Sequence, residues 1–478
     1  MPEFSTVKQY HQNLQDGKVS CVQTVRNYLD RISAHRSLNA FIEVYGEEAL
    51  ETAASIDARF QEGRPAGRLA GLVIGIKDVL CHKNHRVSAA SRMLEGYVAP
   101  YSATAVQRLL DEGAIIIGRT NCDEFAMGST SETSAFGKVL NPLDPSRVPG
   151  GSSGGSAVAV SAGLCMASLG SDTGGSVRQP ADFCGIIGFK PGYGRVSRFG
   201  LIAYASSFDQ IGIFGRNIDN VAEVLSVIAG PDDFDSTAIP TRVPDYQAYT
   251  QGDRRYTLAY LKNALDHPGL DPEIRAGFES LFENLRKAGH RVEAVDFELM
   301  EHIAPAYYVL TTAEASSNLA RYDGIRYGYH TNGSQLVDFY RDNRSFGFGR
   351  EVKRRIMLGT FVLSSGYYEA YYTKAQQVRR LVKERTDEIF SKFDYILLPN
   401  SPVTAFPAGQ MLNNPVAMYL ADIYTVFANL AGVPAVSLPL FRHSNGMPFG
   451  AQVMGNLSDE AGLIQVSSYL MNRFRVKE

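Results

Sequence analysis

The sequence predicts an α/β fold built around a β-sheet, and two observations carry this prediction. Apolar runs at residues 72–76 (LVIGI) and 114–118 (AIIIG) have the length and composition of buried strands. The amphipathic stretch 103–112 lies between them, and alternation of strands with helices is the order expected of an α/β sheet protein. With 478 residues, 45% of them hydrophobic, the chain is long enough to bury a large core.

Helices are expected at the start of the chain. Residues 4–32 and 47–60 place apolar side chains at the 3.6-residue spacing of amphipathic helices, with charged outer faces. Residues 1–65 are therefore predicted to form a helical N-terminal layer. Residues 66–230 are predicted to form the core that contains the main motifs.

The remaining residues, 231–478, are predicted to complete the same sheet. Residues 231–252 are polar and rich in proline and aspartate, which is typical of a linker between domains. The strand and helix patterns resume beyond this stretch, so we expect residues 1–478 to form a single domain. Strand patterns occur at residues 256–261, 291–297, 395–398, 435–440 and 449–454, and a helical pattern occurs at residues 272–288.

Composition and charge exclude several classes of function. The 47 basic and 50 acidic residues leave no basic surplus, so the chain is not expected to neutralise many nucleic-acid phosphates unaided. The longest uncharged stretch, residues 148–171, is half glycine and serine, which argues against a membrane span. The N-terminal segment has no basic-then-apolar signal, and we expect a cytoplasmic protein.

The cysteines predict neither disulfide bonds nor a metal site. Their number is odd, and they are scattered without a C-x-x-C pair or a Cys/His cluster at metal-ligand spacing. Reduced thiols and no metal are therefore expected in this chain. The five cysteines are Cys21, Cys81, Cys122, Cys165 and Cys184.

Two glycine-flanked serine clusters are the most informative motifs. They are PGGSSGGSA at residues 149–157 and GSDTGGSVRQP at residues 170–180. Substrate can approach a serine that lies between glycines, and glycine allows backbone angles that turn several N–H groups toward one point, as in an oxyanion hole. Upstream, Lys77 ends the apolar run GLVIGIK, where burial can lower the pKa of its amine and make it a base. A lone lysine is also typical of a surface position or an ion pair.

The spacing of these clusters resembles the signature of the amidase signature family of hydrolases. The pattern extends over residues 149–180 with many fixed residue types, so it is more specific than a short glycine-rich motif. The resemblance implies the amidase signature fold, in which α-helices cover both sides of a large central mixed β-sheet. It also implies an amidase whose site is built on serine and lysine.

The same resemblance assigns a Ser-cisSer-Lys triad to three residues of this chain. It implies that Ser176 is the nucleophile, that Ser152, after a cis peptide bond, relays a proton, and that Lys77 is the general base. A serine hydroxyl is a weak nucleophile until its proton is taken, and Lys77 can accept a proton only when it is neutral. Ser153 is expected to support the loop. The oxyanion hole is implied to consist of the N–H groups of Thr173, Gly174, Gly175 and Ser176.

Other interpretations of the glycine-rich segment stay open. A P-loop would need lysine and then serine or threonine after its last glycine, whereas Gly155 is followed by Ser156 and Ala157. Residues 151–155 also match G-x-S-x-G, the nucleophile elbow of α/β-hydrolases, which would make Ser153 the nucleophile and require a later aspartate and histidine. Five histidines follow, none in a motif-like setting: His267, His290, His302, His330 and His443.

Segments outside the signature resemble the glutamine-hydrolysing subunits of tRNA-dependent amidotransferases, a group within the family. These segments are residues 121–129, 194–212 and 316–330. The resemblance implies a carbon–nitrogen ligase with glutamine as amido-nitrogen donor. This chain would release ammonia for the conversion of Glu-tRNA(Gln) to Gln-tRNA(Gln), with Asp-tRNA(Asn) as a second candidate substrate. It also implies partner subunits B and C in a heterotrimer, with tRNA contacted mainly through the B subunit, ATP and Mg²⁺ in the B subunit, and no cofactor in this chain.

Three residues are implied by this resemblance to bind free glutamine: Tyr307, Arg355 and Asp422. Arg355 suits the α-carboxylate because it can form a bidentate pair, and Asp422 suits the α-ammonium. Arginines in a charged helical stretch are also often solvated, and an aspartate in this setting often lines a helix, so structural roles stay open. Two other functions remain as well: a stand-alone amidase that acts on a small amide, and a scaffold whose serine site is vestigial.

Overall fold

Eleven strands form one mixed β-sheet in the computed structural model, which describes residues 6–64, 66–331, 335–410 and 421–476. The strands are β1 (Phe41–Val44), β2 (Val73–Lys77), β3 (Ile115–Thr120), β4 (Ala167–Asp172), β5 (Ile187–Lys190), β6 (Gln210–Gly215), β7 (Thr257–Leu261), β8 (Arg291–Val295), β9 (Tyr395–Pro399), β10 (Ala435–Arg442) and β11 (Pro448–Gly455). Their order across the sheet is β1-β3-β2-β4-β6-β5-β10-β11-β9-β7-β8. The predicted large mixed sheet is confirmed.

Fifteen α-helices lie among the described residues. They are α1 (Val7–Gln15), α2 (Cys21–Ala34), α3 (Gly46–Gln61), α4 (Thr104–Asp111), α5 (Gly154–Ser161), α6 (Arg178–Phe183), α7 (Ile218–Ile228), α8 (Lys262–Leu265), α9 (Pro272–Lys287), α10 (Met300–Asn318), α11 (Leu336–Gly347), α12 (Arg350–Val362), α13 (Lys374–Phe390), α14 (Val426–Ala431) and α15 (Glu460–Phe474). Shorter elements are the 3₁₀ turns Arg36–Leu38, Arg92–Leu94, Glu124–Ala126, Tyr246–Tyr249 and Leu319–Arg321, and the π-helix Tyr368–Thr373. Within this part of the chain, every helix is too short or too polar to cross a bilayer.

Helices cover both faces of the sheet. In β2, Val73 belongs to one hydrophobic core and Ile74 and Ile76 belong to another, because successive side chains of a strand point to opposite faces. Helices α2, α3 and α5 contribute buried side chains to the first core, and α4, α7 and α10 contribute to the second. The predicted helical layers on both sides of the sheet are confirmed.

The N-terminal residues form the predicted helices and one strand that was not predicted. Helices α1, α2 and α3 lie where the amphipathic spacing predicts them, while residues 4 and 5 fall outside the described residues. Strand β1 pairs antiparallel with β3 at the edge of the sheet. Four residues are too few to establish a strand period, so the pattern missed it. All three predicted segments supply strands to this sheet, and the division between them stays a prediction.

The carboxyl ends of parallel strands create the edge on which the serine motifs lie. Strand β2 pairs in parallel with both β3 and β4, so the last residues of these strands meet at one edge. Lys77 ends β2 and Asp172 ends β4. Helix α5 begins inside the first serine cluster, at Gly154, and α6 begins inside the second, at Arg178. In open α/β sheets, ligands commonly bind beyond the carboxyl ends of such strands.

Candidate active site

Lys77 lies at the centre of a buried cluster of serine hydroxyls. Its Nζ is 2.8 Å from Ser152 Oγ, 2.9 Å from Ser153 Oγ and 2.8 Å from Ser171 Oγ. The lysine side chain is fully buried, and no carboxylate of the described residues forms an ion pair with it. Burial lowers the pKa of Lys77 to about 8, although nearby acidic groups, among them Asp123, act in the opposite direction. Near neutral pH, part of the Lys77 amine is therefore uncharged and can accept a proton.

The loop that carries Ser152 is held by buried polar contacts. The peptide bond between Gly151 and Ser152 is cis, as the resemblance implied. The Ser152 carbonyl accepts a hydrogen bond from the Asp123 N–H at 3.0 Å, and the Gly151 N–H donates to Gln179 Oε1 at 3.0 Å. Gly151 lies so close to the Asp123 carboxylate that a Cβ there would collide with it. These contacts hold Ser152 against Lys77.

Ser176 lies at the open side of this cluster. Its residue is 8% exposed, whereas Lys77 and Ser152 are completely buried. The Ser176 carbonyl accepts a hydrogen bond from the Ser153 N–H at 3.2 Å, which ties the two serine motifs together. This exposure is what a nucleophile requires, because substrate has to reach it. Among the described residues, the Ser176 and Ser152 hydroxyls are not hydrogen-bonded to each other. Hydrogen bonds between catalytic groups often shorten only when substrate is bound. The proton relay from Ser176 to Ser152 therefore stays a prediction.

A buried ion pair shapes the loop expected to form the oxyanion hole. Asp172 Oδ1 accepts hydrogen bonds from the Gly175 N–H at 2.9 Å and from Arg178 Nη2 at 2.9 Å. Although burial raises the pKa of Asp172, the Arg178 guanidinium outweighs it and holds the pKa well below its usual range. The predicted donor Gly175 is therefore already engaged by Asp172. The N–H groups of Thr173, Gly174 and Ser176 have no protein acceptor within the described ranges and stay the predicted oxyanion donors.

Tyr307 lies beside the same loop. A Cβ on Gly174 would collide with the Tyr307 hydroxyl and ring, so the tyrosine covers this glycine directly. The Tyr307 ring also packs edge-on against Phe208, with centroids 5.7 Å apart. The side chain predicted to contact glutamine thus borders the predicted oxyanion donors.

Arg355 and Asp422 meet at a tyrosine that sequence reasoning missed. The Tyr308 hydroxyl donates to Asp422 Oδ2 at 3.1 Å, and the Arg355 guanidinium lies over the Tyr308 ring, 5.8 Å from its centroid. Ser129 Oγ also donates to Asp422 Oδ2, at 2.6 Å, while Arg355 Nη1 donates to Tyr204 Oη at 2.7 Å. The structure therefore brings a buried cation and a buried carboxyl group into one site.

The charge of Asp422 is sensitive to pH. Burial raises its pKa to about 7, although hydrogen bonds from Ser129 and Tyr308 and the charge of Arg355 act to lower it. Thr425 Oγ1 donates to the Gly174 carbonyl at 2.7 Å, so the segment that carries Asp422 is attached to the predicted oxyanion loop. The site therefore has two halves, the serine–lysine cluster and the charged pocket that contains Arg355 and Asp422, and the two halves are contiguous.

The competing interpretations of the first serine cluster are not supported. Ser153 Oγ donates to the Ser171 carbonyl at 3.0 Å in addition to its contact with Lys77, and none of the five downstream histidines touches the cluster in the described part of the chain. A nucleophile elbow at Ser153 therefore lacks its base. A Cβ on Gly155 would collide with the carbonyl oxygens of Asn121 and Ala40, so neighbouring backbone fills the space beside this glycine and leaves no room for a phosphate there.

Several site residues were not predicted, although most lie close to residues that were. Ser171, Asp172 and Arg178 belong to the second serine motif, and Tyr308 follows Tyr307 directly. Ser129 ends the segment 121–129 that was already singled out. Their types and positions were visible in the sequence, but which of them turn toward Lys77 or Asp422 depends on the packing of distant segments.

Comparisons with known proteins identify the family of this chain. The amidase family matches residues 23–464. The A subunit of glutamyl-tRNA(Gln) amidotransferase from Chlorobium phaeobacteroides (strain BS1) is 49% identical over 471 residues, which are 97% of this chain and 98% of the relative. The protein of that name from Prochlorococcus marinus (strain NATL2A) is 46% identical over 466 residues, which are 97% and 96% of the two chains.

Two solved structures are also similar along nearly the whole chain. The crystal structure of the A subunit of glutamyl-tRNA(Gln) amidotransferase from Thermotoga maritima has a TM-score of 0.78 and 36% identity, and covers 95% of this chain and 92% of that chain. The peptide amidase of Stenotrophomonas maltophilia has a TM-score of 0.83 and 29% identity, with 100% and 98% of the two chains covered. From the family match and these relatives we conclude that the chain belongs to the amidase family.

Proposed function

We propose that this chain is the glutamine-hydrolysing subunit of a tRNA-dependent amidotransferase, and that it supplies ammonia for the conversion of Glu-tRNA(Gln) to Gln-tRNA(Gln). One observation carries the proposal: a lysine–serine cluster borders a buried pocket in which Arg355 and Asp422 meet at Tyr308. The names of the relatives, which are 46–49% identical along nearly their whole length, support it. Asp-tRNA(Asn) is a second candidate substrate of the same complex.

The chemistry begins with a neutral Lys77. We propose that Lys77 takes the Ser176 proton through the Ser152 hydroxyl, while Ser176 Oγ attacks the side-chain amide carbon of glutamine. Negative charge develops on the amide oxygen, where the N–H groups of Thr173, Gly174 and Ser176 would stabilise it. The proton then passes to the departing nitrogen, ammonia leaves, and a γ-glutamyl ester remains on Ser176. Water hydrolyses this ester by the same proton route in reverse.

Opposite charges in the pocket favour a free amino acid as the substrate. The Arg355 guanidinium complements an α-carboxylate and an ionised Asp422 complements an α-ammonium. Arg355 is paired with Glu351 at 2.8 Å, which offsets the cost of burying its charge. An α-ammonium would in the same way offset the cost of burying an ionised Asp422, and a small uncharged amide could not. The charged pocket therefore favours glutamine over the substrate of a stand-alone amidase. Tyr307, which covers Gly174, would flank the side chain of the glutamine.

An exposed aromatic cluster supports assembly with partner subunits. Phe361 of α12 packs against Tyr367 with ring centroids 4.3 Å apart and against Tyr371 of the π-helix at 5.9 Å. Met357, one helical turn from Phe361, is 73% exposed. Contiguous exposed apolar side chains of this kind commonly mark protein–protein contacts. We propose that the chain works in the cytoplasm with subunits B and C, and that the B subunit holds most of the tRNA together with ATP and Mg²⁺.

The conversion of Glu-tRNA(Gln) to Gln-tRNA(Gln) by the chain with its cognate B and C subunits tests the proposal. Glutamine or ammonium chloride supplies the nitrogen, and Ser176→Ala is compared with wild type and with Ser391→Ala, an exposed control. We expect Ser176→Ala to lose the glutamine-driven reaction and to keep the ammonia-driven one. If wild type supports neither reaction, a stand-alone amidase is the better interpretation. If Ser176→Ala keeps both, the chain is a scaffold.

A further inference from the structure

Glu48, His82 and His85 form a cluster of possible metal ligands outside the serine–lysine site. Glu48 lies in the first turn of α3, and the two histidines lie in the loop that follows β2. One ligand atom of each residue lies within 4.8 Å of the other two. No metal site was expected from the cysteine pattern, and the H-x-x-H spacing of His82 and His85 is the signal that could have found this cluster.

His82 is the member that lacks a partner. The residue is only 5% exposed, and its Nδ1 has no hydrogen-bond partner in the described part of the chain. Its ring stacks on that of His85, with centroids 3.9 Å apart and planes 3° apart, so the His82 ring has to turn before both imidazoles can ligate one ion. Buried polar atoms are nearly always paired in folded proteins, so an orphaned imidazole nitrogen points to a ligand that binds here.

His85 and Glu48 have the surroundings of metal ligands. His85 Nε2 lies 2.6 Å from Glu48 Oε2, and His85 Nδ1 lies 2.9 Å from the Lys83 carbonyl oxygen. A backbone carbonyl on the second ring nitrogen is common in metal-bound histidines, because it sets the tautomer and the orientation of the ring. The Glu48 side chain is 51% exposed, so an ion can enter from solvent.

We propose that Glu48, His82 and His85 bind a zinc ion. Two imidazoles and one carboxylate are a known ligand set for Zn²⁺, with a fourth position open to water. The ion would give His82 the partner that it lacks. It would also join the first turn of α3 to the loop that begins just after Lys77, and so hold the strand end that carries the proposed base. Without an ion, the cluster is a stacked histidine pair with a hydrogen bond between His85 and Glu48.

Metal titrations of the metal-free full-length chain test this proposal. Calorimetry with Zn²⁺ should give one bound ion per chain, and Co²⁺ should give the visible absorption bands of a four-coordinate site. His82→Ala should abolish both signals. Glu48→Gln keeps the size of an exposed side chain, and it should weaken Zn²⁺ binding by roughly tenfold or more, since even outer contacts of metal ligands have effects of this size. His35→Ala, a change at an exposed histidine, should bind like wild type.

Two results would overturn the metal site. One is the absence of Zn²⁺ and Co²⁺ binding to the wild-type chain. The other is equal affinity in wild type, His82→Ala and Glu48→Gln. Circular dichroism of each variant accompanies the titrations, and the exposed Glu48→Gln change keeps the test independent of any folding defect in His82→Ala.

Discussion

Two fully buried lysines, Lys77 and Lys190, end strands of the same sheet. Their hydrogen-bond partners differ, and this difference distinguishes a reactive lysine from a structural one. Lys77 ends β2 in the sequence IGIK, and Lys190 ends β5 in the sequence IGFK. Burial lowers the pKa of both amines, to about 8 for Lys77 and to about 7 for Lys190. A lowered pKa therefore does not identify the base by itself.

The hydrogen-bond partners of the two lysines are what differ. Lys77 meets three serine hydroxyls, which can both donate and accept protons. Lys190 Nζ donates to the carbonyl oxygens of Pro191 at 2.9 Å and Val433 at 2.6 Å. Carbonyl oxygens can only accept hydrogen bonds, so they offer no proton for Lys190 to take, and this lysine links neighbouring segments instead. The chemistry of its hydrogen-bond partners, more than burial, thus decides what a buried lysine can do.

Lys77→Ala should have the largest effect. Loss of the general base should lower kcat for glutamine hydrolysis by about 10²–10⁴-fold. Ammonia-driven synthesis by the complex, which bypasses Ser176, should be retained. Steady-state kinetics of the assembled complex with each nitrogen donor checks this, and full activity with glutamine in the folded variant would remove Lys77 from the mechanism.

Arg355→Ala should change substrate binding and leave the base intact. The KM for glutamine should rise by about 10–100-fold, because a hydrogen bond to a charged group contributes about 1.5–3 kcal/mol. The ammonia-driven reaction should be unaffected. Arg350→Ala, at an exposed position of the same helix, is the matched control in the kinetic assay. Equal loss with both nitrogen donors would indicate misfolding instead of a lost contact with glutamine.

The pH dependence of catalysis should report Lys77 and Asp422. The value of kcat/KM for glutamine should rise with pH and level off above about 8, because only the neutral amine of Lys77 accepts a proton. Ionisation of Asp422 should add a rise near pH 7, which Asp422→Asn should remove. A profile without any rise between these values would contradict both assignments.

The stability of the fold should depend on the same lysine. The pKa of Lys77 falls from an ordinary value of 10.5 to about 8 in the folded chain. Between these values the unfolded chain binds more protons, so the free energy of unfolding should rise as pH increases from about 8 to about 10.5. Urea unfolding of wild type and Lys77→Met across this range measures the contribution, which the variant should lack.

Lys190→Met should have the smallest effect on catalysis and act on stability. The variant leaves the carbonyl oxygens of Pro191 and Val433 without their donor, at a cost of about 1–3 kcal/mol of unfolding free energy. The midpoint of urea unfolding should fall, while kcat of the folded fraction with glutamine should match wild type. A loss of glutamine hydrolysis as large as that of Lys77→Ala, in folded protein, would show that Lys190 also takes part in catalysis.

The residues of the serine–lysine site were expected from local motifs and from the resemblance to the amidase signature family. Ser152 and Ser176 lie in glycine-rich segments whose residue types suit a nucleophile, and Lys77 ends an apolar run. The donors of the oxyanion loop could not be predicted to the same detail. Gly175 was expected among them, but its N–H group donates to the carboxylate of Asp172, three residues earlier. A motif predicts which backbone N–H groups lie near one another. The hydrogen-bond acceptor of each N–H group depends on the path of the loop.

The α/β class, the positions of most strands and the residue types at the site follow from the sequence alone, because periodicity and motifs are local properties. Tertiary structure decided that Lys77, and not Lys190, is surrounded by hydroxyls, although the two follow nearly the same residues. It also decided that Tyr308 and Asp422, 114 residues apart, share a hydrogen bond. Such pairings follow from the order of the strands in the sheet, which brings distant segments together and leaves no trace in a local pattern.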